Sequence, residues 1–456
     1  MYYQSTNPFN NQTGTAFDAF SDVELDSKLV LAQRCFEGPW RDHSFAQRKA
    51  VLKRAAALMR ERQQELAELA TQEMGKLIKQ SAGEVALSAA IIDYYAEHGE
   101  AFLAPEALDT DKGRAVVESS PIGVLLGVEP WNYPYYQIAR FAAPNLMAGN
   151  VVMVKHASNV PQCALAFAKL MSDAGAPDGA YTNLFISKEQ VATLIDDRRI
   201  RGVALTGSEA AGAVVAARAG KNLKKSTLEL GGSDAFIVLE DADIDKAVKH
   251  GISGRMGNAG QACTASKRFI CVDSVAEEFL NKFKSAMAGF KPGDPMDEST
   301  SLAPLSSAGA LSKLLEQVQE AVAHGAKVLI GGDRVQELPG QFMQPTILTD
   351  IAEDNPAFAQ EFFGPVAMFF KVADEKAAIA LANNSPFGLG GSVFTQDAER
   401  GRRVASHIET GMVFVNSAAV SMPDLPFGGV KNSGYGRELS AAGIQEFVNK
   451  KLIRVA

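Results

Sequence analysis

Cysteine is scarce in this sequence, and long hydrophobic runs are missing from it. Four cysteines occur among 456 residues, Cys35, Cys163, Cys263 and Cys271, and no two of them have CxxC spacing. This pattern argues against a disulfide framework and a zinc site. The polar start MYYQSTNPFNNQTG lacks the basic residues and the apolar run of a secretory signal. We therefore expect a cytoplasmic protein with no metal and no membrane association.

An excess of basic charge is also absent. The 45 lysines and arginines are outnumbered by 53 aspartates and glutamates, which gives a formal net charge of -8. Such a chain has no overall attraction for nucleic acid or for an anionic membrane. With 46% hydrophobic residues and this length, the chain exceeds what one hydrophobic core organises, so we expect two or three folded domains.

The order of apolar patterns predicts an α/β fold. Residues 21–101 are rich in helix formers, and Ser21 and Glu24 have the spacing of a capping box. Further along, amphipathic stretches alternate with short β-type runs at 123–128, 151–154, 202–205, 235–239, 269–272, 327–330, 366–372, 392–395 and 412–415. This alternation favours largely parallel sheets, with a change of direction at the glycines of 230–234.

Two segments offer catalytic side chains. Cys263 follows a glycine in the polar loop 258–264 (NAGQACT), between a predicted helix and a predicted strand. Such a thiol is either a small buried hydrophobe or, in an environment that favours the thiolate, a nucleophile. Glu229 lies between apolar residues in 227–232 (TLELGG). It is either a solvated side chain or a general base whose pKa is raised by desolvation.

Two further segments offer hydrogen-bond donors after strands. Gly207 and Ser208 precede a predicted helix, whose N-terminal amides can hold a phosphate, although the P-loop and GxGxxG patterns are both missing. In 129–134 (EPWNYP) the amide of Asn132 sits on a proline-rich turn directly after a strand. The turn is either a rigid packed corner or a preset donor for an oxyanion.

Taken together, these four segments resemble the aldehyde dehydrogenase superfamily. The motifs 361–365 (EFFGP), 426–431 (PFGGVK) and 433–438 (SGYGRE) follow in the same order as in that family. The resemblance implies a Rossmann-like cofactor domain in residues 1–102 and 122–232 and an α/β catalytic domain in 233–432. It also implies a small β oligomerisation element, formed by a hairpin in 103–121 with the C-terminal segment 433–456, and hence a homodimer or homotetramer.

The same resemblance assigns the chemistry. Cys263 is similar to the nucleophile, and Asn132 with the Cys263 backbone amide is similar to the oxyanion hole. Hydride transfer to nicotinamide then leaves a thioester. Glu229 resembles the general base that activates water to hydrolyse this thioester. Glu438 resembles a carboxylate that passes protons to solvent. CoA-acylating relatives lack a glutamate at the position of Glu229, so we expect the free acid as product.

The cofactor expected from the resemblance is NAD or NADP. The residues that look like its contacts are Trp131, Lys155, Ser158, Gly207, Ser208, Glu361 and Phe363. Phe363 can equally be a core aromatic. Strongly NAD-preferring relatives carry a glutamate where this chain has Ser158, and an uncharged serine does not repel the phosphate of NADP. We therefore expect both cofactors to be used.

For the substrate, Arg140 resembles a cationic contact of succinate-semialdehyde dehydrogenases, and Ser421 is a second candidate. A second arginine common in one branch would fall six positions before Cys263, where this sequence has Gly257. We expect succinate semialdehyde, with another aliphatic aldehyde as the alternative. Two rival hypotheses are a cysteine hydrolase or esterase, which would pair Cys263 with a histidine, and an inactive structural homologue.

Overall fold

The structure is a computed structural model that describes residues 2–455. Within this range the helices are α1 (Asp22–Glu37), α2 (Pro39–Asp42), α3 (Phe45–Glu61), α4 (Gln63–Met74), α5 (Ile78–Phe102), α6 (Pro134–Ala148), α7 (Pro161–Asp173), α8 (Lys188–Asp196), α9 (Glu209–Lys221), α10 (Ile244–Met256), α11 (Asp273–Ala288), α12 (Ala308–Ala323), α13 (Glu375–Asn383), α14 (Ala398–Ser406) and α15 (Ser440–Ile444). Short 3-10 helices span Gly257–Gly260 and Pro356–Ala359.

In the same part of the chain the strands are β1 (Tyr2–Thr6), β2 (Thr13–Asp18), β3 (Glu106–Leu108), β4 (Arg114–Pro121), β5 (Val124–Glu129), β6 (Val151–His156), β7 (Tyr181–Asn183), β8 (Ile200–Thr206), β9 (Lys225–Glu229), β10 (Asp234–Val238), β11 (Ser266–Val272), β12 (Lys327–Ile330), β13 (Thr346–Thr349), β14 (Val366–Val372), β15 (Phe387–Gly388), β16 (Gly391–Phe394), β17 (Phe414–Val415), β18 (Val430–Lys431), β19 (Gly434–Tyr435) and β20 (Val448–Val455). Every run predicted as a strand lies in or overlaps one of these.

The predicted helical segment 21–101 is confirmed as α1–α5, and it begins at the predicted capping box. The Glu24 backbone N–H donates to Ser21 Oγ at 3.3 Å, and the Ser21 backbone N–H donates to Glu24 Oε2 at 2.7 Å. These two bonds satisfy donors that the first turn of a helix leaves open. The apolar faces of these helices share one hydrophobic core with α6, α7 and the first sheet.

The polar N-terminal segment forms a β-hairpin that the sequence pattern did not predict. Strands β1 and β2 pair antiparallel. Tyr3 is buried, stacks on Phe185 with ring centroids 4.5 Å apart, and donates its hydroxyl to the Ile186 carbonyl at 2.8 Å. With so few inward-facing side chains, β1 is too short to show a clear alternation of apolar and polar residues.

The first sheet has the order β19-β9-β8-β5-β6-β7. Its strands β9, β8, β5, β6 and β7 are parallel, and β19 is antiparallel to β9. Strands β5, β6, β8 and β9 end at Glu129, His156, Thr206 and Glu229 on one edge of the sheet. Ligands of open α/β sheets bind outside this carboxyl edge, so the sheet brings residues of four separate segments to one site.

The second sheet has the order β12-β13-β14-β11-β10-β16-β17. All neighbouring pairs in it are parallel except β12 with β13, in agreement with the predicted largely parallel sheets. The chain crosses from the first sheet to the second between Glu229 and Asp234, through Gly231 and Gly232. The division into domains at 232 and 233 falls in this connection and stays a prediction.

A third, smaller sheet has the order β20-β4-β3, with β20 paired antiparallel to β4 along its whole length. Apolar side chains on β20 face solvent, since Leu452 is 61% and Val455 is 65% exposed. The predicted hairpin in 103–121 thus forms strands β3 and β4, and β20 completes their sheet. This sheet leaves apolar side chains exposed to solvent. Among the helices of residues 2–455, none has the length and apolar character needed to cross a membrane.

Candidate active site

Cys263 follows a loop of unusual backbone conformation. After α10 the chain passes through Asn258, Ala259 and Gly260 with φ of 52°, 52° and 76°. Left-handed conformations of non-glycine residues cost on the order of 1–3 kcal/mol each and persist only where the surroundings hold them. A Cβ on Gly260 would collide with the Gly364 carbonyl oxygen and the Arg255 guanidinium, so this position requires glycine.

Two buried cations that the sequence analysis missed hold this loop. Arg255 donates to the carbonyl oxygens of Gly260 at 2.7 Å and Ser266 at 3.1 Å. Lys267 donates to the carbonyl oxygens of Ala262 at 2.9 Å and Cys263 at 2.6 Å. Lys267 lies in strand β11, all of whose residues are buried, and a buried lysine needs hydrogen-bond acceptors. A lysine within such a strand was therefore the signal that could have pointed to this contact.

The Asn132 side chain lies against the same loop. The Nδ2 of Asn132 donates to the Gln261 carbonyl oxygen at 3.1 Å, and the backbone carbonyl oxygen of Asn132 accepts from Asn258 Nδ2 at 2.9 Å. Within residues 2–455 the backbone N–H of Cys263 makes no hydrogen bond. Within the described residues, the second Nδ2 proton of Asn132 and this N–H are therefore two hydrogen-bond donors at the Cys263 loop that are left without an acceptor.

Burial sets the protonation of the thiol. Cys263 is partly buried, and this burial raises the pKa of its thiol to about 11, although Arg140 and Lys267 act in the opposite direction. The other three cysteines are fully buried. Cys263 is therefore the one thiol of residues 2–455 that a small molecule reaches, and it is protonated at neutral pH in the free protein.

Glu229 ends strand β9 as a buried carboxyl. Within the described chain neither of its carboxyl oxygens has a hydrogen-bond partner. Burial, followed by the Glu438 carboxylate, raises its pKa well above the ordinary value, while Arg140 and Arg437 lower it. A carboxyl with a raised pKa is a stronger base once ionised, as general-base catalysis near neutral pH requires.

Arg140 pairs with a carboxylate of the chain itself, which the sequence analysis did not foresee. Its guanidinium forms an ion pair with Glu438 and donates to Thr206 Oγ1 at 3.2 Å. The guanidinium carbon also lies 4.4 Å from the ring centroid of Phe427. Burial, the largest single effect, lowers the pKa of Arg140, but Glu438 together with Tyr136, Glu229 and Cys263 raises it, and the net pKa is raised. Arg140 is thus a fully buried cation, and its contact with the substrate stays a prediction.

A hydroxyl relay connects Arg140 with Ser421. Arg140 Nη1 donates to the Tyr136 hydroxyl at 3.2 Å, and that hydroxyl donates to Ser421 Oγ at 3.0 Å. Ser421 is only partly buried, so its own O–H remains available to a bound molecule. Sequence analysis missed Tyr136, although its spacing of four residues from Arg140 on α6 places the two on one helix face.

Several predicted cofactor contacts lie together between the two larger sheets. The rings of Trp131 and Phe363 are partly exposed and meet edge to face with centroids 5.8 Å apart. The buried neighbour Phe362 occupies the core position, so Phe363 is free to face a ligand. Glu361 accepts from the Gly232 backbone N–H at 3.1 Å and pairs with Lys267 at 3.0 Å.

The remaining predicted contacts lie beyond the ends of β6 and β8. Ser208 is the N-cap of α9, with its hydroxyl accepting from the Ala211 N–H at 3.3 Å, and Gly207 precedes it. The Lys155 amine lies 5.6 Å from the Tyr3 ring centroid, and burial and Lys188 lower its pKa. Ser158 is partly exposed, and its carbonyl oxygen accepts from the Gln4 N–H at 2.9 Å.

A model of the aldehyde dehydrogenase family matches residues 1–453. The chain belongs to the aldehyde dehydrogenase family. It is 50% identical over 452 residues to the succinate-semialdehyde dehydrogenase (NADP+) of Deinococcus radiodurans, spanning 99% of this chain and 94% of that protein. It is 47% identical over 456 residues to the probable succinate-semialdehyde dehydrogenase (NADP+) of Synechocystis sp., spanning 100% of both.

Structural comparison agrees with this assignment. The crystal structure of succinic semialdehyde dehydrogenase from Streptococcus pyogenes in complex with NADP+ is 47% identical to this chain. The two superpose with a TM-score of 0.98 and cover 99% of each other. The predicted aldehyde dehydrogenase-like fold is therefore confirmed.

The geometry of this aldehyde dehydrogenase also disfavours the rival thiol–imidazole hydrolase. Within residues 2–455 the Cys263 side chain has no hydrogen bond to a histidine. The buried His156 uses both ring nitrogens, one at 2.8 Å from the Pro134 carbonyl oxygen and one accepting from the Ala157 N–H at 2.8 Å. Burial lowers the pKa of His156 to about 4. It is therefore neutral and fully engaged near pH 7, and no base for a thiol.

Proposed function

We propose that this aldehyde dehydrogenase oxidises succinate semialdehyde to succinate with NADP+, through a thioester on Cys263. The observation that carries the chemistry is the direct attachment of the Asn132 amide to the Cys263 loop, through its 3.1 Å bond to the Gln261 carbonyl oxygen. The names of the relatives in Deinococcus radiodurans and Synechocystis support the substrate and the cofactor.

In the first half-reaction, the partly exposed Cys263 thiol loses its proton to solvent and its sulfur adds to the aldehyde carbon. The resulting alkoxide accepts hydrogen bonds from the Cys263 backbone N–H and from Asn132 Nδ2, both held in place before the reaction starts. When bound, NADP+ would accept the hydride that leaves the C–H bond of the former aldehyde carbon, which makes the step an oxidation. The product on the chain is a thioester of Cys263, and its carbon has the oxidation level of a carboxylic acid.

In the second half-reaction, water replaces the sulfur. Ionised Glu229 takes a proton from the attacking water, and the Cys263 sulfur leaves as a thiolate. We assign Glu438 to passing protons onward, because it is buried beside Glu229 and is itself paired with Arg140. Burial raises the pKa of Glu438, and Arg140 lowers it. The raised pKa of each carboxyl makes it a stronger proton acceptor once it is ionised.

The end of β6 fits the ribose phosphate of NADP+. Lys155 and Lys188 lie close enough for their charges to interact, which provides positive potential there. Ser158 adds a partly exposed hydroxyl and no negative charge. We expect Trp131, Gly207, Ser208, Glu361 and Phe363 to contact the rest of the cofactor. NAD remains usable, since a serine hydroxyl also bonds a free ribose hydroxyl.

We propose that the acid tail of the substrate meets the Ser421 hydroxyl. Tyr136 already donates to Ser421 Oγ, so the Ser421 proton points to another acceptor. Arg140 donates to the Tyr136 hydroxyl, and this makes that hydroxyl a stronger donor to Ser421. Arg140 then contributes to recognition of the carboxylate as a buried charge, and Ser421 makes the direct contact.

The test is an assay of reduced nicotinamide absorbance with purified protein, comparing succinate semialdehyde with butanal, each with NADP+ or NAD+. We expect kcat/KM to be highest with succinate semialdehyde and NADP+, and we expect Cys263→Ala to be inactive. Equal kcat/KM for the two aldehydes would refute the acid-tail assignment. No cofactor reduction with any aldehyde of a wider panel would refute dehydrogenase activity.

We further propose that the β20-β4-β3 sheet joins copies of the chain into a homodimer or homotetramer. The exposed apolar side chains of Leu452 and Val455 support this, because their burial is favourable. Light scattering coupled to size exclusion tests it, with Leu452→Asp expected to lower the mass. We also propose a cytoplasmic location, since all four cysteines are unpaired.

A further inference from the structure

A buried ion pair at the corner between α4 and α5 has no role in the chemistry described above. Lys76 and Glu84 form this pair with side chains 0% and 1% exposed. Burying two charges is costly, and the cost is offset only where further hydrogen bonds satisfy both groups. The partners of each group therefore indicate what the pair stabilises.

Glu84 caps the helix that follows Asn132. Its Oε1 accepts from the backbone N–H groups of Tyr135 at 2.8 Å and Tyr136 at 3.1 Å. These residues belong to the first turn of α6, whose own N-cap Tyr133 provides no side-chain cap. A negative charge at a helix N-terminus stabilises the open N–H donors. Glu84 thus fixes the start of α6 two residues after Asn132.

Lys76 holds the residue between Asn132 and that helix. Its amine lies 3.7 Å from the centroid of the Tyr133 ring, within the range of a cation–π interaction. Lys76 and Glu84 therefore hold both the side chain and the backbone directly after Asn132.

Gln80, in the same corner, holds the loop before Cys263. Its Oε1 accepts from the backbone N–H of Asn258 at 3.2 Å. Asn258 has the left-handed φ of 52° and donates to the Asn132 carbonyl oxygen at 2.9 Å. Residues 76–84 thus contact the oxyanion turn on one side and the nucleophile loop on the other.

We propose that the Lys76–Glu84 pair, together with Gln80, positions Asn132 against Cys263 and thereby sets the rate of the chemical step. These are positioning residues, since none of them reaches the thiol or the place of the oxyanion. The inference rests on the proposed role of Asn132 as an oxyanion donor. A small displacement of such a donor lowers the rate by up to about a hundredfold.

The test is a double-mutant cycle of Glu84→Gln with Asn132→Ala, measuring kcat and KM. We expect Glu84→Gln alone to lower kcat by about ten- to a hundredfold while the KM for NADP+ changes by less than about threefold. In the Asn132→Ala background the same change should lower kcat by less than about threefold, because the residue it positions is gone. Equal losses in both backgrounds, or no loss in the wild type, would overturn the proposal.

Glu73→Gln is the matched control. Glu73 is also buried on α4, and it accepts from the Gln162 and Cys163 backbone N–H groups at 3.0 Å each, at the start of α7. We expect this variant to lose thermal stability with little change in kcat. A fall in kcat like that of Glu84→Gln would mean that any lost cap slows the enzyme, which refutes positioning.

A further variant covers failure of Glu84→Gln to fold. Gln80→Ala removes one hydrogen bond from a partly exposed side chain and should lower kcat in the wild type but not in Asn132→Ala. Unchanged kcat in Gln80→Ala would then overturn the proposal. If Asn132→Ala alone leaves kcat unchanged, the proposed oxyanion role of Asn132 is wrong. This outcome separates failure of the proposed mechanism from failure of the positioning proposal.

Discussion

Replacing Arg140 with methionine tests the most unexpected contact of the site. Methionine keeps an unbranched apolar stem, but it removes the cation that faces the Glu438 carboxylate. It also removes the donors to Thr206 and to the Tyr136 hydroxyl. If Arg140 only binds the acid tail of the substrate, the variant should lose only substrate selectivity. If Arg140 is also a buried structural charge, the variant should lose folding stability as well.

The structure sets the size of the effect. The side chains of Arg140 and Glu438 are 0% and 9% exposed, so solvent screens the pair weakly. Breaking a buried pair by removing one partner costs roughly 3–5 kcal/mol. We therefore expect Arg140→Met to unfold at clearly lower urea concentration than the wild type. The double variant Arg140→Met/Glu438→Gln should regain part of the loss, because no buried charge remains unpaired.

The loss also depends on pH in a defined direction. Burial raises the pKa of Glu438 in the folded protein, and Arg140 opposes this. At low pH Glu438 is neutral in both the folded and unfolded states, and removing Arg140 costs less. As pH rises through the raised pKa of Glu438 in the folded wild type, this carboxyl ionises beside Arg140. In the folded variant it stays neutral while the unfolded chain ionises it, so the stability difference from wild type should grow.

Two measurements check this prediction, urea unfolding at pH 5 and pH 8 and kcat/KM for succinate semialdehyde and butanal. We expect the loss of unfolding free energy to be larger at pH 8. We also expect kcat/KM to fall about tenfold to a hundredfold more for succinate semialdehyde, in line with one charge-assisted hydrogen bond. Wild-type stability at both pH values would refute the buried pair and leave Arg140 as a substrate contact only.

Three further predictions concern the thiol, the base and the cofactor. Iodoacetamide should alkylate Cys263 faster with rising pH up to about 11, because burial raises the thiol pKa to about 11. Mass spectrometry of the wild type, with Cys263→Ala as the control, measures the alkylation rate, and a plateau of this rate below pH 9 would contradict the prediction. Glu229→Gln should give one rapid turnover of reduced cofactor and then a phase slowed about a hundred- to ten-thousandfold, and a missing burst in stopped flow would place Glu229 before the thioester. Ser158→Glu should shift the ratio of kcat/KM toward NAD+ by roughly fivefold or more through charge repulsion, whereas an unchanged ratio means that Ser158 does not contact the ribose.

Local sequence patterns predicted most of the fold because they report local physics. Helices α1 and α3 begin with capping boxes, and the 21–101 segment is rich in helix formers. The runs in 123–415 have the composition of buried strands. The N-terminal hairpin escaped prediction, because its stability comes from Tyr3 packing on Phe185, a residue far along the chain.

The candidate site divides in the same way. Cys263, Glu229 and Asn132 each occupy a short motif that left two interpretations open, and only the motifs taken together indicated the family and the roles of these residues. Arg255 and Lys267 gave only a weak signal, as basic residues in buried segments. Their acceptors are backbone carbonyls of the Cys263 loop, and a sequence pattern does not display which carbonyls a fold leaves open.

The sequence by itself determined the family, the order of helices and strands, and the residue types that carry the chemistry. Only the tertiary structure decided which charges neutralise each other. Arg140 pairs with Glu438 and not with solvent, and Glu84 reaches the start of α6 from another helix. The physical reason is that ion pairs and helix caps depend on distances of about 3 Å between side chains. Folding creates such distances between residues that lie far apart in the chain.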